Sequence, residues 1–304
     1  MFKFGFLSAI LPDYTFEQIM DFAGENSFEC VEICCWPKGK AARRYAGITH
    51  IDLNELDDAK MKHYLDYAAS KGVKISSLGF YPNPLSPDTE AAEAAVSHIM
   101  DLITASGDMG VGMITTFIGR DKNKTVEENL DLYEKVWSPI IKHAEDKKVK
   151  IAIENCPMIF TADEWPGGNN LASAPYIWRE MFKRIPTEIL GLNYDAAHPY
   201  LIGADYIKPI YEFSDRIFHI HFKDLKIQKE KLDEYGRLSY PRLWITEKLP
   251  GLGDIDFPSL ISALYDIRFE GCACIEVEDR AFESGEEDVK RSILLSARYL
   301  RNYI

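Results

Sequence analysis

The chain has 304 residues, a formal net charge of −13 and a 46% hydrophobic fraction. An acidic balance of this size excludes a main role on nucleic acid or an anionic membrane surface, both of which need a basic face. No apolar run approaches the roughly 20 residues of a membrane span, and the length suits one large domain, 1–304.

The start, Met1-Phe-Lys-Phe-Gly-Phe-Leu-Ser, is too short for a secretory signal and reads as a first strand. Further strands are predicted over 28–34, 74–79, 111–118, 149–154, 190–195, 217–222 and 272–277. Amphipathic helical stretches fall between them, over 15–25, 56–71, 88–106, 126–147, 175–185, 205–213, 258–267 and 287–302. Strands alternating with helices at this spacing predict a parallel α/β sheet. Eight such units predict closure into a (β/α)8 TIM barrel, which typically takes about 250 residues. No G-x-G-x-x-G follows the first strand, so the dinucleotide-binding alternative lacks its main signature. Three connections are extended, after strands 2, 5 and 7: residues 35–55, 155–174 and 223–257. All leave C-terminal strand ends and would rim one mouth. Their aromatic and charged residues (Trp36, Arg43, Tyr45, Trp165, Tyr235, Trp244) suit a substrate lid.

Cys30, Cys34, Cys35, Cys156, Cys272 and Cys274 lie in or beside apolar runs. They are expected as reduced structural thiols in a cytoplasmic protein, and the absence of C-x-x-C spacing argues against a thiolate zinc site.

Four of the strand-like runs end in a possible ligand: Lys150-Ile-Ala-Ile-Glu154, Leu190-Gly-Leu-Asn-Tyr-Asp195, Ile217-Phe-His-Ile-His221 and Cys272-Ala-Cys-Ile-Glu276. Successive strand side chains face opposite ways. Ile151 and Ile153, Leu192 and Tyr194, Ile220 and Phe222, and Ala273 and Ile275 therefore share a greasy face toward helices. Ala152 and Glu154, Asn193 and Asp195, His219 and His221, and Cys274 and Glu276 share the other face, which opens onto chemistry. Two glutamates, an aspartate and a histidine from four strands suit one divalent ion with mixed oxygen and nitrogen ligands. Mn2+ is expected first, with Mg2+, Co2+ or Zn2+ as alternatives. A carboxylate beside such an ion can take the proton α to a carbonyl, and the resulting enediolate leads to isomerisation, epimerisation or elimination.

Ile153-Glu154-Asn155, Asn193-Tyr-Asp195-Ala-Ala-His198-Pro199, His219-Ile-His221-Phe-Lys223-Asp224, Gly251-Leu-Gly-Asp254-Ile-Asp256 and Ile275-Glu276-Val-Glu278-Asp279 together resemble motifs of the xylose-isomerase-like TIM-barrel superfamily. That superfamily holds sugar isomerases and epimerases, including ketose 3-epimerases and inosose dehydratase, and the barrel of endonuclease IV. The resemblance implies a single ion held by Glu154, Asp195, His221 and Glu276, with Glu154 and Glu276 also acting as the acid/base pair. It implies that His198 and Lys223 hydrogen-bond or polarise substrate oxygens. The first-half histidines of endonuclease IV are missing: strands 3 and 4 end in Gly79-Phe80 and Thr116-Phe117, which argues against DNA repair.

Other residues carry narrower expectations. Glu32 has inward parity and reads either as a barrel ion pair or as a substrate contact. Trp36 is expected at the substrate, His219 buried beneath His221, Glu278 in a loop salt bridge, and His50 and His63 in solvent. Gly251-Leu-Gly253 reads as a plain turn or as a phosphate cradle at a helix N-terminus. The expected activity is a metal-dependent isomerase or epimerase of a small sugar or sugar-derived hydroxyketone. Its rivals are a lyase on the same barrel (an inosose-type dehydratase or a keto-sugar glycoside eliminase) and a non-catalytic sugar-binding barrel. No nucleic-acid or membrane partner is expected, and a homo-oligomer is compatible with the fold.

Overall fold

A computed structural model of the protein describes residues 2–39, 45–159 and 167–304. Eight parallel strands close into a barrel: β1 (Lys3–Leu7), β2 (Cys30–Cys34), β3 (Lys74–Gly79), β4 (Met113–Thr116), β5 (Lys150–Glu154), β6 (Leu190–Asp195), β7 (Ile217–Phe222) and β10 (Cys272–Ile275), with β10 hydrogen-bonded to both β7 and β1. Two further strands, β8 (Asp224–Ile227) and β9 (Ile245–Lys248), form an antiparallel pair outside the barrel. The helical layer includes α1 (Phe16–Glu25), α2 (Asp58–Ser70), α3 (Thr89–Asp108), α4 (Val126–Lys147), α5 (Pro175–Arg184), α6 (Ala197–Ile202), α7 (Lys208–Glu212), α8 (Lys229–Tyr235), α9 (Phe257–Asp266) and α10 (Glu286–Leu300). No helix among the described residues is long and apolar enough to cross a membrane.

The alternation along each strand sorts side chains between two cores. Outward residues pack under helices: Phe6 meets Phe22 of α1 edge-on at 5.7 Å, Tyr194 meets Trp178 of α5 at 6.1 Å, and Phe222 meets Phe257 of α9 at 5.8 Å. Inward positions near the strand starts are small. Gly5 pairs with both Cys30 and Cys274, and a Cβ there would lie 1.9 Å from the Cys30 carbonyl oxygen and 2.7 Å from its sulfur. All six cysteines are buried free thiols.

Helix ends follow local chemistry. Thr15 and Gln18 form a capping box on α1, and Thr125 and Glu128 form one on α4. The structure departs from the sequence expectation after β6 and β7. Only the short α7 occupies the 205–213 stretch, while α6 starts directly behind Asp195, whose Oδ1 accepts the Ala197 N–H at 2.8 Å. The 223–257 connection is a built insertion, β8–α8–β9, because Asp224 to Ile227 zip against Lys248 to Ile245.

His50 corrects a second expectation. The chain after β2 folds back through an antiparallel Cys35–Thr49 bridge. This tucks the His50 ring inside, with Nδ1 3.0 Å from Ser8 Oγ and Nε2 3.2 Å from the Leu11 carbonyl oxygen. His63 is half exposed and pairs with Glu17 at 2.8 Å. Burial lowers the His50 pKa from 6.5 to about 4. The unfolded chain therefore takes up this proton first as pH falls. The stability His50 contributes is complete above pH 6.5 and is lost between 6.5 and about 4. At about 1.4 kcal/mol per pKa unit, the loss is about 3 kcal/mol. Urea unfolding at a series of pH values should show this slope, and His50→Gln should flatten it. An equal slope in both proteins would contradict the assignment.

Candidate metal centre

The barrel's shear carries four donors to one height at the C-terminal mouth. Asp195 is level with His221, which is level with Cys274. Two residues beyond Cys274, Glu276 keeps the ladder through its N–H to the Phe222 carbonyl at 3.1 Å. Glu154 ends β5 opposite Asn193. Each of Glu154, Asp195, His221 and Glu276 thereby offers one ligand atom, and the four atoms lie within 4.8 Å of one another. All four side chains are buried.

The unused lone pairs decide what this set is for. Among the described residues, five buried side-chain polar atoms have no hydrogen-bond partner, and three of them are Asp195 Oδ2, His221 Nδ1 and Glu276 Oε2. A buried polar atom without a partner costs about 1–3 kcal/mol, so three such atoms within one cluster of possible ligands favour a cation there. Bonds of roughly 2.0–2.2 Å from a central ion place opposed donors up to about 4.4 Å apart, which the observed spacing nearly meets. The donor set fits a divalent cation.

The surrounding groups orient these donors. His221 Nε2 lies 2.7 Å from Glu32 Oε2, which assigns the proton to Nε2 and turns the Nδ1 lone pair toward the carboxylates. Glu32 does not line the cavity. It is fully buried, and its Oε1 accepts from Thr115 at 2.7 Å and from the Tyr81 hydroxyl. It therefore sits behind His221 as a buried ion-pair partner, and no surface of it remains for a substrate. His219 lies one layer deeper, 2.9 Å from Asn193 Oδ1 and 3.1 Å from Ser76 Oγ. Asn155 accepts the Asp195 N–H at 2.8 Å and donates to its carbonyl at 2.9 Å. Asn170 donates to the Glu154 and Cys156 carbonyls and accepts from Ile118 and Gly119.

Three charges crowd the set from the side of the cavity. Lys223 Nζ is 3.0 Å from Glu276 Oε1 and 3.4 Å from Glu278. Burial alone would raise the Glu276 pKa, but Lys223 and His221 outweigh it and hold the carboxyl well below its ordinary value. Burial likewise opposes the Lys223 ammonium, while Glu276 and Glu278 hold it charged. His198 Nε2 is 3.2 Å from both Glu154 Oε1 and Asp195 Oδ2.

Above the donors lies a small cavity walled by Leu7, Trp36, Tyr45, Tyr81, Phe117 and Cys156, with Glu154, His221, Lys223 and Glu276 at its polar end. Trp36 and Tyr45 come from the β2 connection, and the Tyr45 hydroxyl donates to the Val277 carbonyl. Arg43 and Trp165 lie outside the described residues. Trp244 is no lid residue: it is 1% exposed, in an apolar cluster with Leu201 and Leu225. Sequence reasoning missed Tyr81, Asn170 and Cys156, since lone residues in loops carry no periodic signal. It also left open a phosphate cradle at Gly251–Gly253. There the N–H groups of Gly251 and Gly253 go to Asp224 Oδ2 at 3.0 and 2.9 Å, and those of Leu225 and Ile255 to Oδ1 at 2.9 and 3.1 Å. The cradle is filled by a carboxylate of the chain itself.

Residues 20–302 match the family model of the xylose isomerase-like TIM barrel, and the chain belongs to that family. The inosose dehydratase of Salmonella typhimurium strain LT2 is 28% identical over 113 residues, 36% of this chain and 37% of that protein. The chain thus spans little more than a third of the length of that curated relative. D-psicose 3-epimerase from Clostridium cellulolyticum H10, solved with D-tagatose, has a TM-score of 0.73 at 16% identity, covering 99% of both chains. The IolI protein with a bound zinc atom has a TM-score of 0.74 at 17% identity, with the same coverage. At these identities the two structures establish a shared fold.

Protein stripped of metal should take up one equivalent of divalent ion in a calorimetric titration. Its folding free energy should rise by about 2.7 kcal/mol at one hundred times the dissociation constant. Asp195→Asn should weaken binding further than Glu32→Gln, for which the loss of a supporting partner predicts about 10–100-fold. A parent protein that binds no divalent ion would sink the assignment.

Proposed function

We propose that this member of the xylose isomerase-like TIM-barrel family is a divalent-metal-dependent isomerase or epimerase of a sugar or sugar-derived hydroxyketone. The observation that carries the reading is the convergence of Glu154, Asp195, His221 and Glu276, with three orphaned lone pairs, beneath a cavity. Mn2+ is taken first among the ions compatible with mixed oxygen and nitrogen donors, with Mg2+, Co2+ or Zn2+ as alternatives.

Glu154 and Glu276 come from strands separated in the barrel by β6 and β7, so they approach a bound sugar from different sides. In this reading one takes the proton next to the carbonyl and the other returns a proton. Their neighbours keep both ionised: Lys223 and His221 outweigh burial at Glu276, and His198 and His221 outweigh burial and the Glu276 charge at Glu154, so each can accept a proton although the same neighbours reduce its base strength. The metal, when bound, supplies a positive charge next to the enediolate oxygens, where charge develops. Lys223 polarises a substrate oxygen from the Glu276 side, and His198 does so from the Glu154 side. Trp36, Tyr81 and Phe117 supply the apolar wall that keeps water from the reacting carbon.

A second reading, a lyase, is favoured by the partial match to inosose dehydratase. It begins with the same proton abstraction and ends with loss of a β-substituent. Incubation of the metal-loaded protein with a panel of keto-sugars in D2O separates the two: solvent deuterium in an intact isomeric sugar is the expected outcome, and a departing water or aglycone is the lyase outcome. Glu154→Gln and Glu276→Gln should each lower the exchange rate by about 10²–10⁴-fold, the range of general-base catalysis. Full exchange in either variant would remove that glutamate from the acid/base pair, and no exchange by the parent on any keto-sugar would leave a binding protein.

A further inference from the structure

Cys156 takes no part in the four-donor centre but lies beside it. It follows Glu154 by two residues, just past β5, and both side chains line the mouth cavity. His198 comes from α6, behind Asp195. Glu154, Cys156 and His198 are buried, each offers one donor atom, and the three atoms lie within 4.8 Å of one another. Among the described residues, neither Cys156 nor His198 groups in this way with His221 or Glu276, so the trio marks a place of its own that shares only Glu154 with the centre above. Backbone contacts hold it ready. Asn170 donates to the carbonyls of Glu154 and Cys156 at 2.9 and 2.6 Å. Met158, with a φ of 55°, turns its N–H back onto the Cys156 sulfur at 3.3 Å, and a donor on sulfur favours the charged thiolate over the thiol. His198 Nε2 lies 3.2 Å from both Glu154 Oε1 and Asp195 Oδ2, and one N–H cannot point at both. Only the Glu154 contact is a hydrogen bond, and Asp195 Oδ2 has no hydrogen-bond partner among the described residues. Oxygen and nitrogen donors bonded at roughly 2.0–2.2 Å to a tetrahedral ion lie about 3.3–3.6 Å apart, close to that spacing.

We propose that Glu154, Cys156 and His198 form a second ion site, selective for a thiophilic divalent cation of the zinc class. The site goes beyond the isomerase reading and does not depend on it. One carboxylate, one thiolate and one imidazole make a softer set than the three carboxylates and one imidazole next to it. Thiolate selects zinc, whereas carboxylates suit manganese and magnesium. Glu154 has two carboxylate oxygens and can serve both sites. A single thiolate carries no C-x-x-C spacing, so cysteine spacing passes over it. Binding releases the Cys156 thiol proton and the proton between His198 and Glu154 to solvent. The chain then supplies three ligands, one from sulfur, one from nitrogen and one from oxygen, and a fourth position stays open. An ion held there engages Glu154 and His198, which the isomerase reading assigns to proton transfer and to a substrate oxygen, so its presence opposes that reaction.

Titration of the metal-free full chain with Co2+, followed by calorimetry and by absorbance, tests this. The parent should take up two equivalents, one of them with a sulfur-to-cobalt charge-transfer band in the near ultraviolet, and Zn2+ should displace the ion that carries the band. Cys156→Ser should abolish the band and weaken the equivalent that carries it by at least about tenfold, because a hydroxyl is a harder and poorer ligand for such ions. His198→Gln should weaken the same equivalent while leaving the other in place, and it carries the test if Cys156→Ser does not fold by circular dichroism. Uptake of one equivalent without the band overturns the second site and keeps the four-donor centre. One equivalent that carries the band keeps the second site and removes the four-donor centre. A band that persists in folded Cys156→Ser comes from another thiol and overturns the proposal, as does a band of undiminished affinity in His198→Gln. No uptake of Co2+ overturns both sites.

Discussion

Everything at the mouth of this barrel depends on how negative charge is tolerated out of water. Glu154, Asp195 and Glu276 crowd into a space under 5 Å across, with Glu32 behind them, all buried. Left to themselves, such carboxylates would take up protons or push apart. Lys223 lies 3.0 Å from Glu276, His198 Nε2 lies 3.2 Å from both Glu154 and Asp195, and His221 Nε2 lies 2.7 Å from Glu32. Even so, lone pairs on Asp195, His221 and Glu276 stay unmatched. A cation among them would offset the excess charge and meet lone pairs that, among the described residues, have no hydrogen-bond partner.

The scaffold's share of this is rigidity. A barrel fixes strand height through its register, so Asp195, His221 and Cys274 are level by backbone hydrogen bonding alone. Side-chain braces then fix direction. Asn155 ties the end of β5 to Asp195, Asn170 ties the ends of β4 and β5 together, and Glu32 sets the ring of His221. Braces of this kind commonly matter nearly as much as the ligands, because they set which lone pair faces the ion.

The eight barrel strands and most of their helices were legible in the sequence because alternation at period two and period 3.6 is a local property. The parity within 150–154, 190–195, 217–222 and 272–276 placed the inward donors for the same reason. What stayed illegible depended on non-local closure. The burial of His50 follows from a backbone fold-back that pairs Cys35 with Thr49. Glu32 left two readings open, and the difference between them is a Tyr81 hydroxyl 49 residues away. The 223–257 segment read as an open loop because β8 and β9 are four residues each and are separated by α8, too short for periodicity to register.

That segment also explains how chemistry and selectivity are joined. From His219 to Asp224 the chain supplies, in six residues, the deep histidine bonded to Asn193, the donor His221, the ammonium of Lys223 and the carboxylate of Asp224. Asp224 is the first residue of β8 and gathers the turn before α9 by four N–H bonds, one of them from its own neighbour Leu225. Burial raises its pKa to about 6, against the pull of those N–H groups. Lys223 is thus clamped between a barrel strand and an outer hairpin. Its ammonium lies 3.0 Å from Glu276 and 3.4 Å from Glu278. Leu225 and Ile245 on that hairpin line a pocket that also reaches Lys223 and His198, so the insertion and the barrel mouth share one wall.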